Sequence, residues 1–180
     1  ANNRLIELTN ILFETTKEDA WQYSYTKETV DIIALTRSVL EKLKPLVEKK
    51  KTRINIHTDK EVYVVADVRR ITAVIEVLLE NAIIYTPEEG LIQVLAYQKG
   101  DRVIYSVRDT GIGVAPHEKK LIFSRFYRTD SARRLDTEGI GLGLAMAKNI
   151  IEKHKGKIGV ESQGEDKGST FWFSLPAARQ

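Results

Sequence analysis

Apolar residues recur at helical spacing in four segments of the chain, with polar residues on the remaining faces. These segments span residues 2–18, 32–50, 68–85 and about 141–155. Asp31 and Asp67 precede the second and third segments, where a short carboxylate can cap the first amides of a helix. We therefore predict four helices. The apolar face of the third is expected to consist of Ile71, Val74, Ile75, Leu78, Leu79, Ala82 and Ile83.

Other segments alternate between apolar and polar residues, as a strand with one buried face does. Residues 91–97 and 102–108 are joined by Lys99-Gly100 and are predicted to form a hairpin. Further strands are predicted at 30–32, 53–57, 62–65, 157–162 and 169–175. Because helices and strands do not alternate strictly, we expect an α+β fold, with a mixed β-sheet that carries its helices on one face.

Five of the eleven glycines fall in two groups between residues 111 and 143. Glycines grouped in this way commonly mark turns, or backbone that approaches a ligand closely. Residues 110–138, around and between the groups, are predicted to be largely irregular, with a short helix near 118–123. A loop of this length is commonly a lid or disordered. The lid interpretation fits its basic residues: Lys119, Lys120, Arg125, Arg128, Arg133 and Arg134.

Composition excludes several classes of function. The chain contains no cysteine, which rules out disulfides, thiolate metal sites and a cysteine nucleophile. Its three histidines, at 57, 117 and 154, are too widely spaced to indicate a metal site. A net charge of +3 is too small to indicate nucleic acid, and no apolar run is long enough to cross a membrane. We therefore expect no contact with nucleic acid and none with membrane.

Three features could carry chemistry, and each also has a purely structural interpretation. Asn81 lies at the border of a helix face, where its carbonyl oxygen could bind a hard cation or only water. Asp109 ends a strand before Thr-Gly-Ile-Gly and could accept a hydrogen bond from an exocyclic amine, or simply begin a turn. Residues 139–144, Gly-Ile-Gly-Leu-Gly-Leu, open a helix whose amides could bind phosphate. They match neither a Walker A loop nor a dinucleotide fingerprint.

Taken in order, these motifs resemble the ATP-binding catalytic domain of sensor histidine kinases, in the superfamily of gyrase, Hsp90 and MutL. The resemblance covers about residues 28–176. It is carried by Asp67, Glu80-Asn81-Ala82, Asp109-Thr-Gly-Ile-Gly113, Ile122-Phe-Ser-Arg-Phe-Tyr-Arg128, Gly139-Ile-Gly-Leu-Gly-Leu144, His154-Lys-Gly156, Gly168-Ser-Thr-Phe171 and Leu175-Pro176.

The resemblance implies a two-layer α/β sandwich of the Bergerat type that binds ATP and Mg²⁺. It also implies a protein-histidine kinase that passes the γ-phosphoryl group to a histidine on an upstream dimerisation domain. By resemblance, Asn81 is the Mg²⁺ ligand, and Asn81 and Arg128 are the catalytic residues. The implied nucleotide-binding residues are Asn81, Tyr85, Asp109, Gly111, Gly113, Gly139, Gly141, Leu142, Gly143, Leu144 and Thr170.

The same resemblance implies a domain organisation. Residues 1–18 would end a dimerisation helix, 19–27 would be a linker, and 28–180 would be the catalytic domain with an ATP lid at 110–138. The phosphoacceptor histidine is expected upstream of Ala1. The implied partners are that upstream domain, a second copy in the full-length homodimer and a cognate response regulator. We expect a cytoplasmic domain in a full-length protein that is anchored to the membrane through upstream segments.

Two positions depart from the family pattern. Val77 stands where the family usually has asparagine, and Ile84 where it often has lysine. Both missing groups would face phosphate or metal, which leaves open a nucleotide-sensing or scaffolding pseudokinase. An ATPase of the gyrase and Hsp90 branch, or a related serine kinase, is disfavoured because it needs a glutamate at the position of Val77.

Overall fold

The computed structural model describes residues 25–58 and 61–178. The helix predicted for 2–18 and the first part of the predicted linker, 19–24, lie outside these residues. Within the described part, the elements in chain order are β1 (Glu28–Asp31), α1 (Ile32–Lys50), β2 (Arg53–His57), β3 (Tyr63–Ala66), α2 (Val68–Tyr85), β4 (Leu91–Lys99), β5 (Arg102–Asp109), a 3₁₀ turn (Leu121–Phe123), α3 (Asp130–Leu135), α4 (Gly143–Lys153), β6 (Lys157–Glu161) and β7 (Ser169–Pro176).

A five-stranded mixed sheet, in the order β2-β4-β5-β7-β6, forms one layer of the fold. Strand β2 runs parallel to β4, and the other neighbouring pairs are antiparallel. The predicted hairpin is confirmed as β4 and β5, with Lys99 opposite Arg102. Strands β1 and β3 form a separate antiparallel pair. The α+β class with a mixed sheet is therefore confirmed.

Helices α1, α2 and α4 supply the second layer, and the core lies between them and the sheet. All seven residues predicted for the apolar face of α2 are buried, which confirms that prediction. On the opposite face of the sheet, Leu95 and Tyr97 are 41% and 43% exposed. One core contact was not predicted: the buried Thr36 hydroxyl of α1 lies 3.1 Å from the hydroxyl of Tyr105 on β5.

Helices α1 and α2 begin directly after the predicted capping residues, Asp31 and Asp67. Asp31 Oδ1 accepts from the amides of Ile33 and Ala34 at 2.9 and 3.1 Å, and Asp67 Oδ1 accepts from Arg70 at 3.1 Å. These bonds satisfy amides that have no acceptor inside the helix.

The lid and the helix that follows it differ from the prediction in three places. The helix expected near 118–123 is only a 3₁₀ turn, whereas α3 was not predicted and begins at a Thr129 cap. The final helix begins at Gly143 rather than 141, because Gly141 has a φ of +78° and cannot belong to a right-handed helix.

His154 joins the end of α4 to the start of α2. It is 1% exposed, and its Nε2 accepts from the Asp67 amide at 3.0 Å. Its Nδ1 therefore carries the proton and donates to the Ile150 carbonyl at 2.8 Å. The Tyr25 ring meets the imidazole edge-on at 5.1 Å, so the chain entering β1 packs against this junction. Burial lowers the pKa of His154 below its ordinary value of 6.5.

We expect His154→Phe to lower the free energy of unfolding at pH 7.5 by about 1–3 kcal/mol, because the Asp67 amide loses its acceptor. Since the folded pKa is lowered, the contribution of His154 is complete above about pH 6.5 and is lost as pH falls. The difference in stability between wild type and variant should therefore narrow toward pH 5. Urea unfolding at several pH values measures it, with the exposed His57→Phe as control. A difference that does not change with pH would contradict this account.

Candidate functional site

A cleft of about 830 Å³ opens between α2, α4, the turn after β5 and the lid. Most of the residues predicted for a site line it: Asn81, Tyr85, Asp109, Gly113, Arg128, Gly139, Gly141, Leu142, Gly143 and Leu144. Two predicted residues do not line the cleft. Gly111 lies behind Asp109, and Thr170 lies beside a lining residue, Ser169. The fold thus brings together three segments that are separated by up to 62 residues in the sequence (81 to 143).

Asp109 ends β5 at one end of the cleft and is 6% exposed. Its Oδ1 accepts from the Gly111 amide at 2.8 Å and from the Ser169 amide at 3.2 Å. Its Oδ2 accepts no hydrogen bond from the described residues, so it is available to a donor on a ligand. Burial raises the pKa of Asp109 from 3.8 to about 6, and the two amide donors oppose that rise.

Gly111 and Gly113 are needed because backbone packs on both sides of the turn. A Cβ on Gly111 would lie 2.5 Å from the Tyr85 carbonyl oxygen at the end of α2. A Cβ on Gly113, whose φ is +68°, would lie 2.0 Å from the Gly164 carbonyl oxygen. Contact with protein backbone is therefore sufficient to explain both glycines.

Thr170, one of the predicted nucleotide-binding residues, does not line the cleft. Neighbouring residues of a strand point to opposite faces, and Phe173 and Leu175 of β7 point into the core. Ser169 and Phe171 share that face and line the cleft, whereas Thr170 faces the other way, with Trp172. Of these two residues, Ser169 is therefore the one that lies in the cleft, where its amide donates to Asp109. The alternation of side-chain direction along β7, counted from the apolar residues of the sequence, could have distinguished Ser169 from Thr170.

The other end of the cleft is formed by the start of α4. The first hydrogen bond of this helix runs from the Met146 amide to the Leu142 carbonyl at 3.0 Å. The amides that precede Met146 in the first turn have no acceptor inside the helix, which makes this a favourable place for an anion. Gly141 presents its carbonyl to the Phe126 amide at 2.8 Å, so the lid is bonded to this segment.

Asn81 lies between these two ends, half-buried on α2. No group of three or more His, Asp or Glu side chains gathers into a metal site within the described residues. A single amide oxygen suits a hard cation that takes its remaining ligands from phosphate oxygens and water. The donors present therefore fit Mg²⁺ brought with a polyphosphate, rather than a cation held in a protein cage.

The family model described as "Histidine kinase-, DNA gyrase B-, and HSP90-like ATPase" matches residues 66–179, which include every part of this cleft described above. The chain belongs to this family.

Individual relatives narrow the assignment to the sensor histidine kinases. Sensor histidine kinase WalK of Bacillus subtilis (strain 168) is 34% identical over 175 residues, which cover 96% of this chain and 28% of WalK. A structure of ShkA in complex with AMPPNP superimposes with a TM-score of 0.82 at 30% identity, covering 98% of this chain and 36% of that one. The catalytic domain of histidine kinase ThkA superimposes with a TM-score of 0.74 at 32% identity, covering 83% of this chain and 95% of that one.

These matches identify the chain as the catalytic ATPase domain of a sensor histidine kinase. The chain spans between 25% and 44% of the length of the curated relatives. Within its described residues, no helix is both long enough and apolar enough to cross a membrane.

In this histidine kinase domain, Arg128 is directed into the lid. Its Nη1 donates to the Gly139 carbonyl at 2.8 Å, and its Nη2 donates to the Ala132 carbonyl at 3.1 Å. The same Nη2 contacts the Asp136 carboxylate at 3.3 Å, as well as the Asp136 carbonyl, and lies 3.4 Å from the Tyr85 hydroxyl. The guanidinium therefore holds α3 and the glycine-rich segment together. Sequence reasoning missed these contacts.

Val77 and Ile84 both line the cleft. A Cβ placed on Gly143 would lie 3.2 Å from a Val77 methyl, so Val77 packs directly against the start of α4. Val77 thus gives the cleft an apolar contact at its anion-binding end, and Ile84 adds a second apolar side chain to the lining.

We expect Asp109→Asn to stabilise the ligand-free domain at pH 7.5 by roughly 1–3 kcal/mol, since each pKa unit corresponds to about 1.4 kcal/mol. The folded pKa of about 6 is higher than the ordinary 3.8. The favourable contribution of Asp109 is therefore complete below pH 3.8 and is lost as pH rises through about 6. Asparagine keeps the Oδ1 acceptor and carries no buried charge.

Thermal unfolding at pH 7.5 measures this, with Asp101→Asn in the exposed hairpin turn as the control. A Tm for Asp109→Asn below that of wild type would contradict the proposed cost of the buried charge.

Proposed function

We propose that this domain binds Mg-ATP in the cleft and transfers the γ-phosphoryl group to a histidine on an upstream dimerisation domain. The proposal is carried by one observation: the two ends of the cleft offer complementary groups for a nucleotide. At one end Asp109 offers a buried carboxylate oxygen without a partner among the described residues, and at the other the start of α4 offers free amides.

At the first end, the adenine amino group donates to Asp109 Oδ2. Gly111 and Ser169 hold the carboxylate through Oδ1, so Oδ2 faces the ligand. Tyr85 lies at the end of α2 and flanks the adenosine. Ser169, which lines the cleft, takes the place of Thr170 among the residues proposed to bind the nucleotide.

At the second end, the triphosphate binds along Gly139, Gly141 and the first turn of α4. Seven carboxylates and three guanidinium groups line the cleft, an excess of negative charge that opposes a polyphosphate. A divalent cation offsets this repulsion, and Asn81 is its protein ligand. Mg²⁺ supplies charge neutralisation of the phosphate oxygens when it is bound. Arg128 approaches the γ-phosphate only after it exchanges its bond to Asp136 for a phosphate oxygen.

The acceptor is placed outside this domain. His154 is buried with both ring nitrogens bonded, and neither His57 nor His117 lines the cleft. We infer an upstream phosphoacceptor domain, homodimerisation of the longer protein and a response regulator as partner. ThkA has been crystallised in complex with the response regulator protein TrrA. The supply of ATP favours a cytoplasmic location.

A pseudokinase is the second candidate, and the contact of Val77 with Gly143 favours it. With an apolar side chain there, the triphosphate and its cation lack one polar ligand on α2. In that case nucleotide binds and phosphotransfer does not occur.

We expect a non-hydrolysable ATP analogue to bind the wild-type chain with Mg²⁺, and Asp109→Asn to weaken binding about ten- to a hundredfold. The loss of a charged hydrogen bond costs on the order of 1.5–3 kcal/mol. Asn81→Ala should remove most of the dependence on Mg²⁺ while leaving binding without metal little changed. Isothermal calorimetry with and without Mg²⁺ measures both effects.

Asn149→Ala on α4, which does not line the cleft, serves as control. Absence of binding to the folded wild-type chain would refute the proposed function.

The two candidates differ in turnover. In the full-length protein we expect autophosphorylation with Mg-ATP, and a rise of about tenfold in rate for Val77→Asn, since each 1.4 kcal/mol of transition-state stabilisation gives that factor. A phosphohistidine assay with radiolabelled ATP measures it. If nucleotide binds but neither wild type nor Val77→Asn is phosphorylated, the pseudokinase is the correct function.

A further inference from the structure

Ser162 follows β6 and lies outside the cleft. Its hydroxyl nevertheless forms hydrogen bonds with the backbone of three residues. It lies 2.7 Å from the Gly168 carbonyl and accepts from the amides of Val114 and Gly164 at 3.1 and 3.2 Å. A hydroxyl has one proton and two acceptor sites. The hydroxyl proton is donated in the short bond to Gly168, and the two amides fill both acceptor sites. The hydrogen-bonding capacity of the Ser162 side chain is therefore fully used.

The carbonyl that accepts from Ser162 shares a peptide unit with an amide that holds Asp109. The Gly168 carbonyl and the Ser169 amide lie on opposite edges of one planar group. Ser169 donates from that group to Asp109 Oδ1 at 3.2 Å. The orientation of this peptide, and with it the Ser169 donor, is therefore fixed by Ser162.

The surrounding backbone leaves this peptide little freedom to compensate. The Gly168 amide donates to the Gly111 carbonyl at 3.1 Å, and the Asp166 amide donates to the Ile112 carbonyl at 2.7 Å. A Cβ on Gly168 would lie 2.2 Å from the Asp109 carbonyl oxygen. The loop between β6 and β7 thus lies directly against the turn that carries Asp109.

The remaining acceptor site of Ser162 is used by the lid. Val114, whose amide donates to it, is buried and directly follows Gly113, at the base of the lid. One hydroxyl therefore connects the base of the lid with the peptide that holds the carboxylate at the other side of the turn.

We propose that Ser162 is a positioning residue for nucleotide binding, which acts through the Gly168–Ser169 peptide on Asp109 and through Val114 on the base of the lid. The proposal rests on the proposed function of the cleft. A hydroxyl that only closed the β6–β7 turn would need no more than its contacts with Gly164 and Gly168, whereas Ser162 also bonds the Val114 amide outside that turn. Removal of a hydroxyl that only closed the turn would affect stability without changing Asp109.

The test compares Ser162→Ala with Ser162→Thr, which keeps the hydroxyl, and with the control Ser106→Ala on the outer face of β5. For Ser162→Ala we expect the affinity for a non-hydrolysable ATP analogue to fall about 3- to 10-fold, as one net hydrogen bond does. We also expect the pKa of Asp109, followed by carboxyl ¹³C NMR, to rise above that of wild type, because the Ser169 donor is less well held. Ser162→Thr should recover both properties, and Ser106→Ala should retain them.

A double-mutant cycle tests whether the effect passes through Asp109. In an Asp109→Asn background, the effect of Ser162→Ala on affinity should be smaller than in wild type, since the charged acceptor is already absent, and the part that remains measures the route through Val114. An undiminished effect in that background would overturn the proposed route. If Ser162→Ala does not fold, Ser162→Cys replaces it, because a thiol is only a weak donor.

The outcomes separate this inference from the function on which it rests. If wild type binds the analogue and Asp109→Asn weakens it, while Ser162→Ala changes neither affinity nor the Asp109 titration, the inference is wrong and the function stands. If Asp109→Asn leaves affinity unchanged, the proposed use of the cleft is wrong. The Asp109 titration in Ser162→Ala then still decides whether Ser162 positions the carboxylate.

Discussion

The burial of one carboxylate, Asp109, is the constraint on which the arrangement of this domain depends. An ionised group at this depth loses most of its hydration, and two backbone amides from separate segments partly replace it. To supply them, the turn after β5 must fold back tightly and the start of β7 must lie beside it. The glycines at 111, 113 and 168 permit that approach, since a side chain at any of them would overlap neighbouring backbone.

The elements that depend on local periodicity were predictable from the sequence, whereas those that depend on distant partners were not. The buried face of α2 follows from the repeat of 3.6 residues, and the caps at Asp31 and Asp67 follow from residue type and position. Thr36 was missed because a polar residue on a helix gives no sign that its partner, Tyr105, lies 69 residues away. Helix α3 was missed because six mostly polar residues show too little periodicity.

The same distinction applies to the candidate site. Most of the site residues predicted from motifs do line the cleft, because glycine groups and a carboxylate at a strand end are local features. Motif order alone did not distinguish Ser169 from Thr170, although the alternation along β7 did contain the answer. The inward direction of Arg128 could not have been predicted, since three of its contacts lie on or beside a helix whose existence was itself unexpected.

The lid and the glycine-rich segment form a single hydrogen-bonded unit. Phe126 donates to the Gly141 carbonyl, and Arg128 donates to the Gly139 carbonyl, so two lid residues on either side of Tyr127 hold the chain that leads into α4. If the lid swings outward, it either breaks both bonds or pulls this segment away from the first turn of the helix. Uncovering a bound anion and dismantling its cradle would then be one event, which makes release a cooperative step rather than the lifting of a separate cover.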